Sequence, residues 1–384
     1  MKRVRRIGLL VVIVSAGVFA LAPGVAERRM NRVTNKLIPV TDRARALHAK
    51  YFVADLHADT ALWNRDLLAR SSRGHVDVPR LREGGVALQA FTIVTKTPRG
   101  MNIGKNTADT DNIQILAIAS LWPPRTWSSL IERALYEASR VTSAADRSGG
   151  QLTVIRSTAD LAAFETRRAE EKNAVAAFIG VEGAHALEGN LASLDRLYDA
   201  GVRMMAPTHF FDTEIGGSAH GLKREGLTPL GREWVARMEA KKMLIDLAHA
   251  SAKTIEDVLK LATRPVVVSH TGVRGTCDNQ RNLSDDQLRA IAANGGLIGI
   301  GVWETAVCGD DARAIARAMA HAVSVAGLDH VALGSDFDGA VTAPFDVTGL
   351  PQVTQALLDF GFDEAKIEAV MGGNVRRLLE RLLP

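Results

Sequence analysis

The sequence predicts an α/β protein that folds as a single (β/α)8 barrel of the TIM type. Eight apolar runs rich in β-forming residues alternate with stretches of helical periodicity. Several of these runs are almost continuously apolar, which is typical of parallel strands covered on both faces. The chain has 384 residues, of which 47% are hydrophobic and 23% charged, so it can bury the core of one large barrel.

The predicted elements follow one another in regular alternation. The strands are expected at Tyr51–Leu56, Val86–Val94, Ala174–Val181, Val202–Thr208, Met243–Leu247, Pro265–Ser269, Leu297–Val302 and Val331–Ser335. The clearest helices are expected at Leu191–Ala200, Pro229–Lys241, Lys253–Ala262, Ser284–Asn294 and Ala312–Ala326. One of these helices begins with a capping box, in which Ser284 is followed three residues later by Gln287.

The longest interval between predicted strands runs from Lys96 to Asn173. It contains a helical stretch around Asp111–Trp122, a break at Pro123-Pro124, and a second helical stretch around Trp127–Ala144. Because it follows a barrel strand, we expect this insertion to lie at the mouth of the barrel, where it can wall the active site.

The N-terminus has the features of an export signal or a membrane anchor. Four basic residues among the first six precede an apolar run from Ile7 to Ala22. Gly24-Val25-Ala26 offers a cleavage site of small residues, whereas an uncleaved run could span a bilayer with some tilt or thinning. In both cases we expect the remainder to be exported and to face the periplasm or the extracellular side. An uncleaved run would associate with the inner membrane through residues 7–22.

Three segments are therefore predicted: a signal or anchor at 1–26, a linker with a lead-in helix at 27–50, and the barrel domain at 51–384. Residues 1–36 hold eight Lys or Arg and one acid. From totals of 47 basic and 43 acidic residues, the remaining chain keeps 39 and 42, a net charge of −3. A mildly acidic domain of this kind argues against a nucleic-acid partner. A homodimer is left open.

Side chains that can bind a metal ion follow several of the predicted strands. His57 and Asp59 come directly after the first strand, and alternate residues of a strand face the same side. Further strand ends carry Glu182, His209, His249, His270 and Asp336, in chain order. Because the active sites of barrels form at the carboxyl ends of their strands, we expect these side chains to converge.

Five of these side chains can supply the ligands of two adjacent metal ions: His57, Asp59, Glu182, His249 and His270. Imidazole nitrogens and carboxylate oxygens are ordinary zinc ligands, and Glu182 is suited to bridge the two ions. Two ions about 3.5–4 Å apart can hold a hydroxide nucleophile and polarise a carbonyl group. Any one of these residues alone is more often a hydrogen-bonded core or rim residue, but the five together indicate a metal centre.

The other polar residues at the strand ends are interpreted as groups that act on a substrate. His209 could donate a hydrogen bond to the oxyanion of a tetrahedral intermediate. Asp336 could move a proton to the leaving amine, and Asp338, two residues further on, is the alternative for that role. Arg281 could hold a substrate carboxylate with its planar guanidinium group.

Motifs along almost the whole exported part carry a family resemblance. They are Asp55-Leu56-His57-Ala58-Asp59, Val181-Glu182-Gly183, Pro207-Thr208-His209, Asp246-Leu247-Ala248-His249, Val268-Ser269-His270, Arg281-Asn282 and Gly334-Ser335-Asp336-Phe337-Asp338. In this order the chain resembles the membrane (renal-type) dipeptidases, a branch of the metal-dependent amidohydrolase superfamily.

The resemblance implies two zinc ions. By position, His57 and Asp59 match the ligands of one zinc, His249 and His270 match those of the other, and Glu182 matches the bridging carboxylate.

The resemblance also implies roles for the remaining residues. His209 matches the family's substrate-binding histidine, which faces the tetrahedral intermediate, and Asp336 matches the acid that handles the proton. Arg281 matches the arginine that takes the substrate's terminal carboxylate. Cys277 and Cys308 match a disulfide pair of the family.

The implied activity is hydrolysis of the amide bond of small dipeptides by a metal-bridging hydroxide, with a D-residue tolerated at the carboxyl-terminal position. The bulky pair Phe210-Phe211 follows His209, where the family has a small pocket, so the side-chain preference is expected to differ. Two alternatives remain open at this point. One is an amide or lactam hydrolase on the same fold, and the other is a membrane-tethered binding protein without turnover.

Overall fold

The structure of the protein is a computed structural model that describes residues 21–384. Residues 7–20 of the predicted signal or anchor run lie outside the described residues. Residues 21–30 form a helix, α1. Within the described part of the chain, none of the helices combines the length and the apolar character that a membrane span requires.

Parallel strands form the centre of the molecule. They are β1 (Arg32–Val33), β2 (Val53–Ala58), β3 (Val86–Ile93), β4 (Leu152–Val154), β5 (Val175–Val181), β6 (Val202–Met205), β7 (Leu244–Ile245), β8 (Val267–Thr271), β9 (Leu297–Ile300), β10 (Val331–Leu333) and β11 (Thr342–Ala343). The main sheet has the order β7-β6-β5-β3-β2-β10-β9-β8, and β4 pairs with β5 outside this path. A separate two-stranded sheet joins β1 to β11.

The two end strands of this order also make contact. Asp246, which follows β7, forms a parallel bridge with Val267 at the start of β8. The Leu247 N–H group donates to the Val267 carbonyl oxygen at 2.7 Å. The predicted α/β fold with a mostly parallel sheet is therefore confirmed and is consistent with a TIM-type architecture.

Helices cover the outside of the sheet. They are α2 (Asp42–His48), α3 (Val78–Glu83), α4 (Asn112–Ala119), α5 (Leu130–Arg147), α6 (Thr158–Glu170), α7 (Ser193–Asp199), α8 (Pro229–Ala240), α9 (Ala252–Leu261), α10 (Asp285–Ala293), α11 (Glu304–Val307), α12 (Ala312–Ala326), α13 (Pro351–Asp359), α14 (Glu364–Glu368) and α15 (Asn374–Leu382). Every residue of β2, β3 and β5 is buried, because side chains of both faces are covered. The capping box of α10 forms as predicted, with Ser284 and Gln287 bonding reciprocally.

Several predicted bounds differ from the structure. β2 extends to Ala58 and β8 to Thr271, so His57 and His270 lie inside strands rather than after them. β7 has two residues where five were predicted. β4, in the insertion between Lys96 and Asn173, was not predicted, since a strand of three residues with a polar Thr153 at its centre leaves no clear apolar run.

A disulfide joins Cys277, in the loop after β8, to Cys308, at the end of α11. This pairing confirms the expectation from the family resemblance. The loop that contains Cys277 is also held by Asn282, whose side-chain N–H groups donate to the carbonyl oxygens of Cys277 at 2.7 Å and Ala306 at 3.0 Å. The segment that carries Arg281 is thus fixed both covalently and by hydrogen bonds.

The double variant Cys277→Ala/Cys308→Ala tests the contribution of this bridge. The two cysteines are 31 residues apart, and closing a loop of that length restricts the unfolded chain. We expect the free energy of unfolding to fall by about 3–4 kcal/mol, measured by urea denaturation at equilibrium. Wild-type protein unfolded in the presence of a reductant is the control and should match the variant; an unchanged midpoint in both would contradict the expectation.

Candidate metal centre

Strand ends position the predicted ligands. His57 lies in β2 and Asp59 immediately follows it, whereas His270 lies in β8. Glu182 comes directly after β5, where Gly183 turns the chain with a φ of 108° that residues with a side chain rarely adopt. His249 follows β7 with a φ of 61°, in the left-handed region. Such backbone strain in a non-glycine residue is typical of functional sites.

The carboxylate of Glu182 lies at the centre of four imidazole rings. Its Oε1 atom is 3.0 Å from Nε2 of His249, 3.3 Å from Nε2 of His270 and 3.6 Å from Nε2 of His57. Its Oε2 atom is 3.2 Å from Nε2 of His209. All five side chains are buried.

Two more carboxylates approach the same place. Nε2 of His57 is 3.4 Å from Oδ1 of Asp59 and 4.0 Å from Oδ1 of Asp336. Asp336 has a φ of 62°, so its backbone is also in the left-handed region. The structure therefore brings together every residue predicted as a ligand, together with His209 and Asp336.

The donor atoms fit divalent cations. Three groups have ligand atoms within 4.8 Å of one another: His57, Glu182 and His270; Glu182, His209 and His249; and His57, Asp59 and Asp336. Nε2 of His57 is buried without a hydrogen-bond partner. The Nε2 atoms of His249 and His270 face each other at 3.0 Å, an arrangement that a shared cation between the rings would explain. Glu182 and His57 each belong to two of the groups.

Outer contacts orient the ligands. The Ser269 hydroxyl lies 2.9 Å from Nδ1 of His57 and 3.1 Å from Nδ1 of His270. The Thr92 hydroxyl donates to Oδ1 of Asp59 at 2.6 Å. Partners of this kind set the ring orientation and tautomer of metal-binding histidines, so that Nε2 points to the centre.

The electrostatics of the pocket also favour a cation. Burial raises the pKa of Glu182 well above its usual value and raises that of Asp336 to about 8. Burial lowers the pKa of His57, but the carboxylates of Glu182 and Asp59 outweigh it and bring that pKa to about 10. Burial lowers the pKa of His249 well below its usual value. Closely spaced buried carboxyl groups repel one another, and a bound cation would relieve that repulsion.

Arg281 lies beside this cluster and is buried. One of its N–H groups donates to the carbonyl oxygen of His270 at 2.8 Å, and its guanidinium carbon is 5.8 Å from the centre of the Trp303 ring. Arg281 lines the same cavity as Glu182 and Asp336. It is therefore placed where a carboxylate of a bound molecule could reach it.

Asp336 and Asp338, the two alternatives for proton transfer, occupy different environments. Asp336 lines the cavity. Asp338 is fully buried behind it, where its carboxylate accepts hydrogen bonds from Arg65 at 2.6 Å, from the Thr60 hydroxyl at 2.8 Å and from the backbone N–H group of His75 at 2.6 Å. The geometry thus makes Asp338 a structural group and leaves Asp336 facing the cavity.

One contributor was not identified from the sequence. His220 lines the cavity, and its Nδ1 atom lies 3.0 Å from the Ile103 carbonyl oxygen while Nε2 has no partner. It follows no strand, so no pattern distinguished it from an ordinary histidine. Phe210, by contrast, lines the cavity as its sequence position suggested, whereas Phe211 is buried beneath Lys96.

The chain is similar to proteins of known family and fold. The family described as membrane dipeptidase (peptidase family M19) matches residues 41–382. Dipeptidase 3 of Mus musculus is 28% identical over 363 residues, which cover 89% of this chain and 66% of the mouse protein. The crystal structure of dipeptidase AC, a metallopeptidase of family M19, is 27% identical, with a TM-score of 0.71 over 87% of this chain and 99% of that one.

A second solved structure was determined with a ligand. It is a metallopeptidase from Rhodobacter sphaeroides bound to a phosphinate mimic of the dipeptide L-Ala-D-Ala. It is 26% identical to this chain, with a TM-score of 0.71 over 86% of this chain and 99% of its own.

The variant Asp338→Asn tests the structural assignment of this carboxylate. It removes the charge of one of the two carboxylates that pair with the buried guanidinium of Arg65, the other being Glu27, so we expect the free energy of unfolding to fall by about 1.5–3 kcal/mol in urea denaturation. The matched control is Asp336→Asn, which removes a buried carboxyl without an arginine partner and should change stability little. Equal losses in the two variants would contradict the distinction.

Proposed function

Because the chain belongs to the membrane dipeptidase family (peptidase family M19) and is a metallo-dipeptidase hydrolase, we propose that it is a zinc enzyme that cleaves the amide bond of small dipeptides. The observation that carries the proposal is the convergence of four imidazole rings on the buried carboxylate of Glu182. The relative solved with an L-Ala-D-Ala mimic supports tolerance of a D-residue at the carboxyl-terminal position.

In the proposed centre, His57 and Asp59 would hold one zinc ion, His249 and His270 would hold the other, and Glu182 would serve both. Membership of Glu182 in two of the ligand groups supports its bridging role. When bound, the two ions would supply a Lewis acid for the scissile carbonyl and would lower the pKa of the attacking water.

The remaining residues act on the substrate. Arg281 binds the terminal carboxylate, a role supported by its burial beside the cluster and its planar donor geometry. His209 donates a hydrogen bond to the oxygen that becomes negative, and its Nε2 atom already points to Glu182. Asp336 accepts the proton of the attacking water and passes it to the leaving amine, for which its place in the cavity is suitable.

We also propose that the sheet closes into a (β/α)8 barrel and that the enzyme works outside the cytoplasm. The bridge between Asp246 and Val267 supports closure. The basic and apolar N-terminal residues support export. Glu27 lies just after the candidate cleavage site, so it stays in the chain with or without cleavage, and it is buried against Arg65.

The variant Glu182→Gln tests the bridging assignment. Losing the shared carboxylate charge should reduce the bound zinc from two equivalents to one or none and abolish dipeptide hydrolysis, as measured by elemental analysis and by amine release. The matched control is Glu137→Gln, which changes another fully buried glutamate outside the three ligand groups and should keep two equivalents. Retention of two zinc ions by Glu182→Gln would refute the bridge.

The variant Arg281→Ala tests carboxylate binding. For dipeptides with a free carboxylate we expect a loss of about 2–5 kcal/mol in transition-state binding, seen mostly as a rise in KM. The C-terminal amides of the same dipeptides serve as the control, because they lack the charge that Arg281 would pair with. Similar losses on both series would argue that Arg281 has only a structural role.

A further inference from the structure

The candidate site opens into a cavity of about 480 Å³, a size within the range of about 300–1,000 Å³ that is usual for small-molecule sites. Its charged and polar lining includes Asp59, Glu182, His209, Arg281 and Asp336. Most of the remaining lining is apolar and includes Met30, Leu62, Trp63, Ile113, Ile115 and Leu116. The metal centre is therefore one end of a cavity that is largely hydrophobic.

Three elements build the apolar wall. The turn after β2 supplies Leu62 and Trp63, and helix α4 of the insertion supplies Ile113, Ile115 and Leu116. Helix α1 supplies Ala22, Pro23, Ala26 and Met30. Met30 and Ile115 are 43% and 48% exposed, so the wall continues from the buried centre to the surface. Contiguous exposed apolar residues at the mouth of a cavity are typical of a binding site.

A buried ion network holds α1 in this wall. The carboxylate of Glu27 is 1% exposed and pairs with the guanidinium groups of Arg65 and Arg73. Arg65 in turn donates to Asp338 at 2.6 Å. These ion pairs connect helix α1 to the loop that carries Asp336. They fix the position of α1 against the domain, where it forms part of the cavity wall.

The wall lies on the side of the sheet opposite to Arg281. Arg281 follows β8, whereas Leu62 and Trp63 follow β2 and helix α4 follows β3, and β9 and β10 separate β8 from β2 in the strand order. Glu182 lies between β2 and β8. Its Oε1 atom is 3.6 Å from Nε2 of His57 in β2 and 3.3 Å from Nε2 of His270 in β8. A substrate whose carboxylate binds Arg281 and whose scissile carbonyl lies at Glu182 must direct its acyl half toward the apolar wall.

We infer that the cavity selects amides whose acyl half carries an extended aliphatic chain, joined to a small amino acid on the carboxyl side. This inference rests on the proposed function, from which it takes the positions of the carboxylate and the scissile bond. Each methylene group moved from water into the cavity strengthens binding by up to about fourfold. The chemistry that the site recognises is therefore amphiphilic: a carboxylate at one end and an alkyl chain at the other.

The test is a series of dipeptides X-Ala in which X is alanine, 2-aminohexanoate or 2-aminodecanoate, each prepared with L- and D-alanine. Every member has the same ammonium and carboxylate groups, so only the alkyl length varies. We expect kcat/KM to rise at least about tenfold from alanine to 2-aminodecanoate. Phosphinate analogues of the same series, titrated by calorimetry, report the dependence of Kd on chain length without requiring turnover.

The wall is tested with the double variant Met30→Gln/Ile115→Gln. Both side chains are partly exposed, so the substitutions should not disturb folding. We expect the ratio of kcat/KM for the longest and shortest substrates to fall by about tenfold, and the ratio of analogue Kd values to change in parallel. The matched control is Leu261→Gln on α9, which is 38% exposed and does not line this cavity, and which should keep both ratios.

The outcomes separate this inference from the proposed function. Hydrolysis of Ala-Ala with a kcat/KM that is flat or falls with chain length would overturn the inference and leave the dipeptidase proposal standing. Failure to hydrolyse any member, with two zinc ions bound, would overturn the dipeptidase proposal, and the analogue titration would then decide the inference on binding alone. Unchanged ratios in the double variant would show that α1 and α4 are not the selecting wall.

Discussion

The carboxylate of Glu182 and the imidazole rings around it are the constraint on which the rest of the structure depends. Four Nε2 atoms lie within 3.6 Å of its oxygens, in a pocket that also contains Asp59 and Asp336. Burying so many ionisable groups is costly unless opposite charge and hydrogen bonds compensate for the lost hydration. A divalent metal centre would supply that charge, and the parallel strands supply the fixed positions.

The candidate metal ligands and the proposed selecting wall come from different parts of the fold. The candidate ligands lie in or just after strands, and buried partners set their orientation. Asp55, for example, accepts from the Ser335 hydroxyl at 2.6 Å and from the Ser335 N–H group at 2.7 Å, and so locks β2 to the segment before Asp336. The apolar wall comes mainly from α1 and α4, outside the sheet, together with Leu62 and Trp63 in the turn after β2. Such elements can vary without moving the ligands.

The sequence alone supported most of the sheet and the metal cluster. Near-continuous apolar runs marked the buried strands, and polar side chains directly after those runs marked the carboxyl edge where a barrel places its site. β4 was not predicted because a strand of only three residues is too short to show an apolar period. His220 was not identified as a cavity residue because it lies in a loop whose path depends on contacts with Ile103, far away in the chain.

What the sequence by itself determined is the set of chemical groups and their order along the chain, since residue type and strand period are local properties. Only the tertiary structure distinguishes the environments of Asp336 and Asp338, because the difference lies in their neighbours: Asp338 contacts Arg65, which is remote in sequence, while Asp336 faces the cavity. The sequence also placed Glu27 in the predicted linker. The fold buries it against Arg65 and Arg73 and makes α1 a wall of the cavity, because ion pairs between distant segments form only when the chain is folded.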